Sequence, residues 1–263
     1  MINLDLSGKR ALICGASQGM GQACAKELAD LGAEIILLAR NKTKLESTLH
    51  ELSTAHNQQH QYLTLDLADH DTLLQTITTF LSQHGRIDIL INNSGGPKPG
   101  PIKDADVAVF QAALDSHLKA AILLTQLVLP GMQEAGFGRI INITSTSVKT
   151  PLYNLGVSNT TRWAIAAWAK TLSYEVARDG ITVNTVLPGS IDTKRSEQMI
   201  EIIAKQHNCN LEEARQRITS HIPAGYLGST KQFADVVAFL ASPAASYVNG
   251  VALAVDGGRT PTI

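Results

Sequence analysis

Neither sign of charge is in excess. Lys and Arg total 22 against 23 Asp and Glu, a formal net charge of −1 over 263 residues with histidine neutral. No stretch clusters the cations as phosphate neutralisation requires, so the chain is expected to have no nucleic-acid partner. Cysteine is scarce: Cys14, Cys24 and Cys209 are an odd count without metal-ligand spacing, and neither a disulfide framework nor a metal site is expected. Cys14 and Cys24 sit in apolar segments and read as small core residues. The first ten residues lack the apolar stretch of a signal peptide, and no run is expected to reach the roughly 18 apolar residues of a membrane span. These absences point to a reducing, cytoplasmic setting with no membrane partner. Repeats, linkers and low-complexity tracts are also missing.

With 44% hydrophobic and 17% charged residues, the chain can bury a sizeable core. Short aliphatic or β-branched runs alternate with longer segments of helical period, separated by Gly-, Asn- or Pro-bearing turns. Strands are expected over 10–14, 34–39, 61–65, 88–92, 139–144, 182–187 and 251–255. Their apolar residues run on without alternation, as parallel strands covered on both faces require. Helices are expected over 19–31, 42–55, 71–84, 107–134, 158–179 and 231–240, with a shorter one over 211–220. Ser229 with Gln232 and Asn210 with Glu213 have capping-box spacing. The pattern predicts an α/β fold, a Rossmann-type doubly wound parallel sheet of about seven strands, with a ligand at the strands' carboxyl ends. One domain is expected over 1–263, its strandless segment 191–228 forming a helical lid.

Directly after the first strand comes Gly15-Ala16-Ser17-Gln18-Gly19-Met20-Gly21, which opens a helix. Gly15 permits a tight turn, and Gly19 and Gly21 allow close approach of backbone to a pyrophosphate. The helix end then supplies free N–H groups and a positive dipole. The second strand ends in Leu38-Ala39-Arg40-Asn41, without the acidic residue that holds a ribose 2′-hydroxyl in NAD sites. A guanidinium there can hydrogen-bond a 2′-phosphate bidentately, so Arg40 predicts NADP(H) as the cofactor. The plain alternative is a solvated arginine at the start of the next helix.

In these motifs the chain resembles the short-chain dehydrogenase/reductase family, 3-oxoacyl-acyl-carrier-protein reductase-like branch, over nearly its whole length. Asp66-Leu67 matches the pair that contacts adenine in that family, and Asn92-Asn93-Ser94-Gly95 is similar to its motif after the fourth strand. Asn184, Pro188-Gly189 and Thr193 match the segment that closes around the nicotinamide half, and Val255-Asp256-Gly257-Gly258 the C-terminal motif. The resemblance implies cofactor contacts from Gly15 to Gly21 (Ser17, Gln18 and Met20 included), and from Arg40, Asp66, Leu67, Asn92, Ser94, Gly95, Thr144, Arg162, Pro188, Gly189, Ile191 and Thr193. It implies a homotetramer through the long helices 107–134 and 158–179.

At the family's catalytic positions the chain departs from the pattern. Ser145 takes the place of the family serine. Ser158 and Arg162 stand where the family has Tyr and Lys, and His117 where it has Asn. The i, i+4 spacing of Ser158 and Arg162 keeps one helix face. A serine hydroxyl is a far weaker acid than a phenol of pKa about 10, and an arginine does not exchange protons near neutrality. Three readings follow. The chain is an NADPH-dependent reductase of a carbonyl (ketone or 3-oxoacyl-type) substrate, in which Ser145 and Ser158 orient the carbonyl, Arg162 stabilises the alkoxide and the proton comes from water, His117 or Tyr153. His117 enters because an unperturbed imidazole titrates near pH 6.5. Alternatively it is an NADP(H)-binding sensor or partner subunit, or the pocket serves other chemistry on an activated acyl or cyclic substrate. At the pocket rim, Lys98 and Arg195 read as partners for an anionic carrier or carboxylate, or as plain surface cations. In the lid, Met199, Ile200, Ile202, Ile203, Leu211 and Ile218 read as core packing or as a hydrophobic substrate arm.

Overall fold

A computed structural model describes residues 2–262. Seven parallel strands form one sheet in the order β3-β2-β1-β4-β5-β6-β7. They are β1 Arg10–Cys14, β2 Glu34–Ala39, β3 Gln61–Thr64, β4 Ile89–Asn92, β5 Gly138–Ile143, β6 Ile181–Pro188 and β7 Ala252–Val255. All seven expected strands are present, with ends shifted by at most one residue.

Their unbroken apolar runs follow from burial on both faces. Along β1, Ala11 and Ile13 join the core under helices α1 (Gly19–Asp30) and α9 (Thr230–Ala241), with Phe233 of α9 fully buried. Leu12 and Cys14 point the other way, into a second core under α3 (His70–His84), α5 (Ala120–Ala135) and α6 (Gly156–Glu175). Strand side chains alternate by face, and each face here meets helices, so apolar residues occupy both faces and run on without alternation. Cys14 and Cys24 are buried, and desolvation pushes their thiols up to about 12, which disfavours the reactive thiolate.

Three helical expectations need correction. The segment expected as one helix over 42–55 is α2, Lys42–His50, which stops at Glu51 before a turn. The segment 158–179 begins earlier, at Gly156, and ends at Glu175, followed by a single 3-10 turn. The segment 107–134 is not one regular helix: α4 (Val107–Leu114) and α5 are joined by a π-helical turn, Asp115–Lys119. The whole run Val107–Ala135 is long and apolar enough to cross a membrane by length and composition, with an 18-residue window of mean hydropathy 1.4, so the expectation that no such run exists is also corrected. Its apolarity has a local use, since Ala120, Leu124, Val128 and Met132 pack on the sheet.

Between β6 and α9 lie α7 (Lys194–His207) and α8 (Leu211–Thr219). The ends of this excursion are tied by a bridge between Ile191 and Gly228. Ile200, Ala204, Ala214, Ile222 and Leu227 form a small core of their own, with Ile203 and Ile218 packed against it. Met199, Ile202 and Leu211 stay partly exposed. Both capping boxes form, Asn210 with Glu213 and Ser229 with Gln232.

Candidate active site

The sheet order reverses between β1 and β4, and there the loops after the strands diverge and leave a crevice. A cleft of about 1300 Å³ runs across this edge from α2 to the start of α7. Gly15, Ser17, Gln18, Gly19 and Met20 line it. Gly15 and Gly19 have φ of +62° and +60°, the left-handed region that a side chain disfavours. A Cβ on Gly21 would collide with the Gly15 carbonyl, so α1 can press onto its own turn only with glycine there. Gln18 caps α1 without a side-chain hydrogen bond, which leaves the first-turn N–H groups to face the cleft.

At the far end, Arg40 is mostly exposed and lies 3.6 Å from Asp66. Lys44, not expected from the sequence, donates its ammonium to Gln18 Oε1 at 2.8 Å on the cleft wall. Its signal was available: four residues after Arg40, it falls in the first turn of α2, whose N-cap is Asn41. Asp66 and Leu67 also line the cleft, as do Ser94 and Gly95. Asn93, not singled out from sequence, packs its amide against Gly15 and donates to the Cys14 carbonyl at 3.2 Å.

The donor set suits a dinucleotide phosphate: a glycine cradle at a helix N-terminus, an arginine just after β2 with no carboxylate on that strand end, and a lysine in the first turn of α2. Deeper parts are closed in. Asn92 donates to Asn142 Oδ1 at 2.9 Å, Thr144 is buried with its hydroxyl unpartnered, and Gly189 packs against Asp256. Ile191 is buried beside Gly228, and Thr193 caps α7 at the cleft edge. Asn184 ties β6 to the β7 approach, donating to Val248 and accepting from Val251.

Arg162, on α6, is buried below the cleft. It donates to the Ile143 carbonyl at 3.0 Å and the Ser94 carbonyl at 3.2 Å. Burial, and then the charge of Arg195, lower its pKa to about 10, so it stays cationic at neutral pH. His117, in the π turn, is buried with Nδ1 at 2.5 Å from the Ser94 hydroxyl. Burial, then the charges of Arg162 and Arg195, push the imidazole down to about 3. The expectation that it titrates near neutrality is therefore corrected: it is neutral there, because a second cation in a dry site is unfavourable.

Ser145 opens the turn after β5, and its hydroxyl accepts from the Ser147 N–H at 3.1 Å. Ser158 is half-buried one turn before Arg162 on α6. Neither serine lines the cleft wall. Tyr153 is 99% exposed in the turn before α6, so the expectation that it folds back toward the site is corrected. No cluster of metal-ligating residues occurs among the described residues.

A family model described as "Enoyl-(Acyl carrier protein) reductase" matches residues 15–260. The NADPH-dependent reductase BacG of Bacillus subtilis (strain 168) is 32% identical over 98% of this chain and 100% of that protein. The 3-oxoacyl-[acyl-carrier-protein] reductase FabG of Vibrio harveyi is 32% identical over 97% of this chain and 98% of its own. Among solved structures, L-sorbose reductase from Gluconobacter frateurii, complexed with NADPH and L-sorbose, superposes with a TM-score of 0.94 at 31% identity, covering 99% of this chain and 100% of that one.

Proposed function

Because the chain belongs to the short-chain dehydrogenase/reductase family, we propose that it is an NADPH-dependent enzyme that reduces the carbonyl of a small ketone or 3-oxoacyl-type substrate. The observation that carries this is the cleft itself: an uncapped helix N-terminus behind a glycine turn at one end, and Arg40 with Lys44 at the other. The NADPH-dependent relatives support the cofactor. Bound NADPH supplies the hydride, and the overall change is carbonyl plus NADPH plus one proton to alcohol plus NADP⁺.

The chain's own residues bind and polarise. The Gly15–Gly21 turn and Thr193 hold the phosphates, Arg40 and Lys44 take the 2′-phosphate, and Asp66 with Leu67 flanks the adenine. Arg162, fixed by the Ile143 and Ser94 carbonyls, provides a standing positive charge under the reacting oxygen. On the resemblance alone, Ser145 and Ser158 are given the orienting of the carbonyl, from positions outside the cleft wall. With Tyr153 in solvent and His117 neutral, the proton reaches the oxygen from water. Segment 191–228 acts as a lid over one domain spanning 1–263.

A second reading rests on the resemblance, which puts Ser158 and Arg162 where the family has a phenol and a lysine; among the described residues Arg162 hydrogen-bonds only to the Ile143 and Ser94 carbonyls and to no acidic side chain. On that reading the chain binds NADP(H) as a sensor or partner subunit. Fluorescence titration of NADPH, followed by NADPH oxidation against ketones and 3-oxoacyl thioesters, separates the two. Turnover abolished by Arg162→Ala supports the reductase; tight binding with no turnover supports the sensor.

The chain works as a cytoplasmic homotetramer, without nucleic acid or membrane. Support comes from apolar side chains exposed along α4 and α6: Val107, Trp163 and Tyr174. Such an unpartnered apolar face fits helix pairing between copies. A monomer in sedimentation equilibrium would refute it.

A further inference from the structure

The cleft has a cation that the cofactor reading leaves unused. Arg195 stands in the first turn of α7, with its guanidinium over the backbone of Gly96: a Cβ there would lie 2.9 Å from Nη1 and 3.3 Å from Nη2. Gly96 belongs to the loop that follows β4, and both residues line the cleft, with Lys98 and Lys194 beside them. No carboxylate pairs with Arg195, Lys98 or Lys194 among the described residues, and Arg195 has no hydrogen-bond acceptor there. Of the acids adjacent in sequence, Asp192 lies 3.6 Å from Arg215, and Glu197, on the same turn, makes no ion pair among the described residues. Two cations in a helix's first turn also oppose the positive end of its dipole, an arrangement that an anion relieves.

The position separates this group from the phosphate turn. Thr193, two residues earlier, is the residue that meets Gly19, where a Cβ would lie 3.7 Å from its methyl group. Arg195 lies instead over the loop after β4, in the same cleft as His117, and its charge lowers the pKa of both His117 and Arg162. His117 is 4% exposed and lines the same cleft. Its Nδ1 is engaged by Ser94, and Nε2 has no partner among the described residues. In the tautomer in which the Ser94 hydroxyl donates to Nδ1, Nε2 carries the proton.

Resting on the reductase reading, we infer that the substrate is an oxo acid: Arg195, which shares the cleft with His117, holds a carboxylate carried by the molecule whose carbonyl is reduced. The glycine at position 96 leaves the guanidinium room to lie along the loop and meet that carboxylate bidentately. Lys98 and Lys194 raise the local concentration of the anion without fixing its geometry.

The test uses the full-length protein with pyruvate, acetoacetate and levulinate, each against its methyl ester. NADPH affinity is measured separately by fluorescence, and each acid is titrated calorimetrically into the NADP⁺-loaded protein. At least one acid is expected to be favoured over its ester. Arg195→Gln should raise KM for that acid about 10- to 100-fold, the range for losing a charge-assisted hydrogen bond. The ester's KM and the NADPH dissociation constant should stay within about twofold, and Arg195→Lys should restore part of the loss, as a point charge replaces a fork. If Arg195→Gln weakens NADPH by the same factor, Arg195 is a cofactor ligand and the inference falls. It falls too if acid and ester behave alike, or if no acid binds. Ketone turnover without acid preference sinks the inference and leaves the reductase standing. Arg195-dependent binding of an acid with no turnover of any compound sinks the reductase and leaves the carboxylate site standing.

Discussion

The Ser94 hydroxyl lies 2.5 Å from Nδ1 of His117, joining the loop after β4 to the π turn between α4 and α5. A π turn widens the helix, and this one turns His117 inward, where it is buried. The Ser94 carbonyl accepts from Arg162 at the same time. One residue of the β4 loop therefore aligns a neutral imidazole and a buried cation.

The depressed pKa of His117 has a consequence for stability. Its folded value of about 3 lies below the unfolded value near 6.5. Between these limits the unfolded chain binds the extra proton, so this residue's contribution is complete above about pH 6.5 and is lost as the pH falls toward 3. The expected loss is about 1.4 kcal/mol per pH unit within that window. Urea unfolding of the wild type and His117→Asn between neutral and acidic pH should show a steeper decline for the wild type; parallel curves would contradict the assignment.

Arg162 should matter for structure as well as chemistry. Arg162→Ala leaves the Ile143 and Ser94 carbonyls without their donor, at a cost of about 1–3 kcal/mol for each group that stays dry. Arg162→Lys keeps a charge but cannot reach both carbonyls as a fork does. NADPH oxidation is expected to fall by about 10²-fold or more in the alanine variant, the scale for removing a preorganised electrostatic group. Thermal unfolding of both variants then distinguishes lost folding from lost catalysis.

Tyr153→Phe is expected to leave turnover within about twofold, because its hydroxyl faces solvent. A drop of about 10²-fold, the size of a lost proton donor, would show that the turn before α6 folds inward during the reaction.

Cofactor choice should reside in two side chains on the cleft wall. Arg40→Glu sets a carboxylate against a 2′-phosphate and is expected to reverse the preference for NADPH over NADH, read as the ratio of their dissociation constants by fluorescence. Lys44→Ala should weaken NADPH by several-fold and leave NADH nearly unchanged. It removes one cation and frees Gln18.

Gly21→Ala is expected to be costly, since its Cβ would collide with the Gly15 carbonyl and α1 would have to move off its turn. Overpacking of this kind costs about 1–3 kcal/mol. The melting temperature should drop and NADPH binding should weaken together, because the helix end that receives the phosphates is the part displaced.

Much of the architecture was legible because its causes are local. The strands announced themselves as apolar runs between turn residues, and Gly15 and Gly19 marked a turn whose φ values glycine adopts easily, with Gly21 where a Cβ would collide with the Gly15 carbonyl. The capping pairs Asn210–Glu213 and Ser229–Gln232 were readable for the same reason, as each spans three residues. The π turn was not. Its residues Asp115–Lys119 continue a helical pattern, and only packing against the β4 loop selects the wider turn.

By itself, then, the sequence determined the order of strands and helices, the glycine turn that opens α1 and the absence of a carboxylate at the end of β2. These depend on side-chain period, on backbone freedom and on residue identity, all present in the linear chain. The tertiary structure alone decided that Tyr153 faces solvent, that His117 is neutral and that Arg195 stands unpaired over Gly96. Those properties arise from burial and from charges brought together across long separations, as when Arg162 meets the carbonyl of Ser94 from 68 residues away. Desolvation and Coulomb energy depend on such neighbours, and a residue's neighbours exist only once the sheet has closed around them.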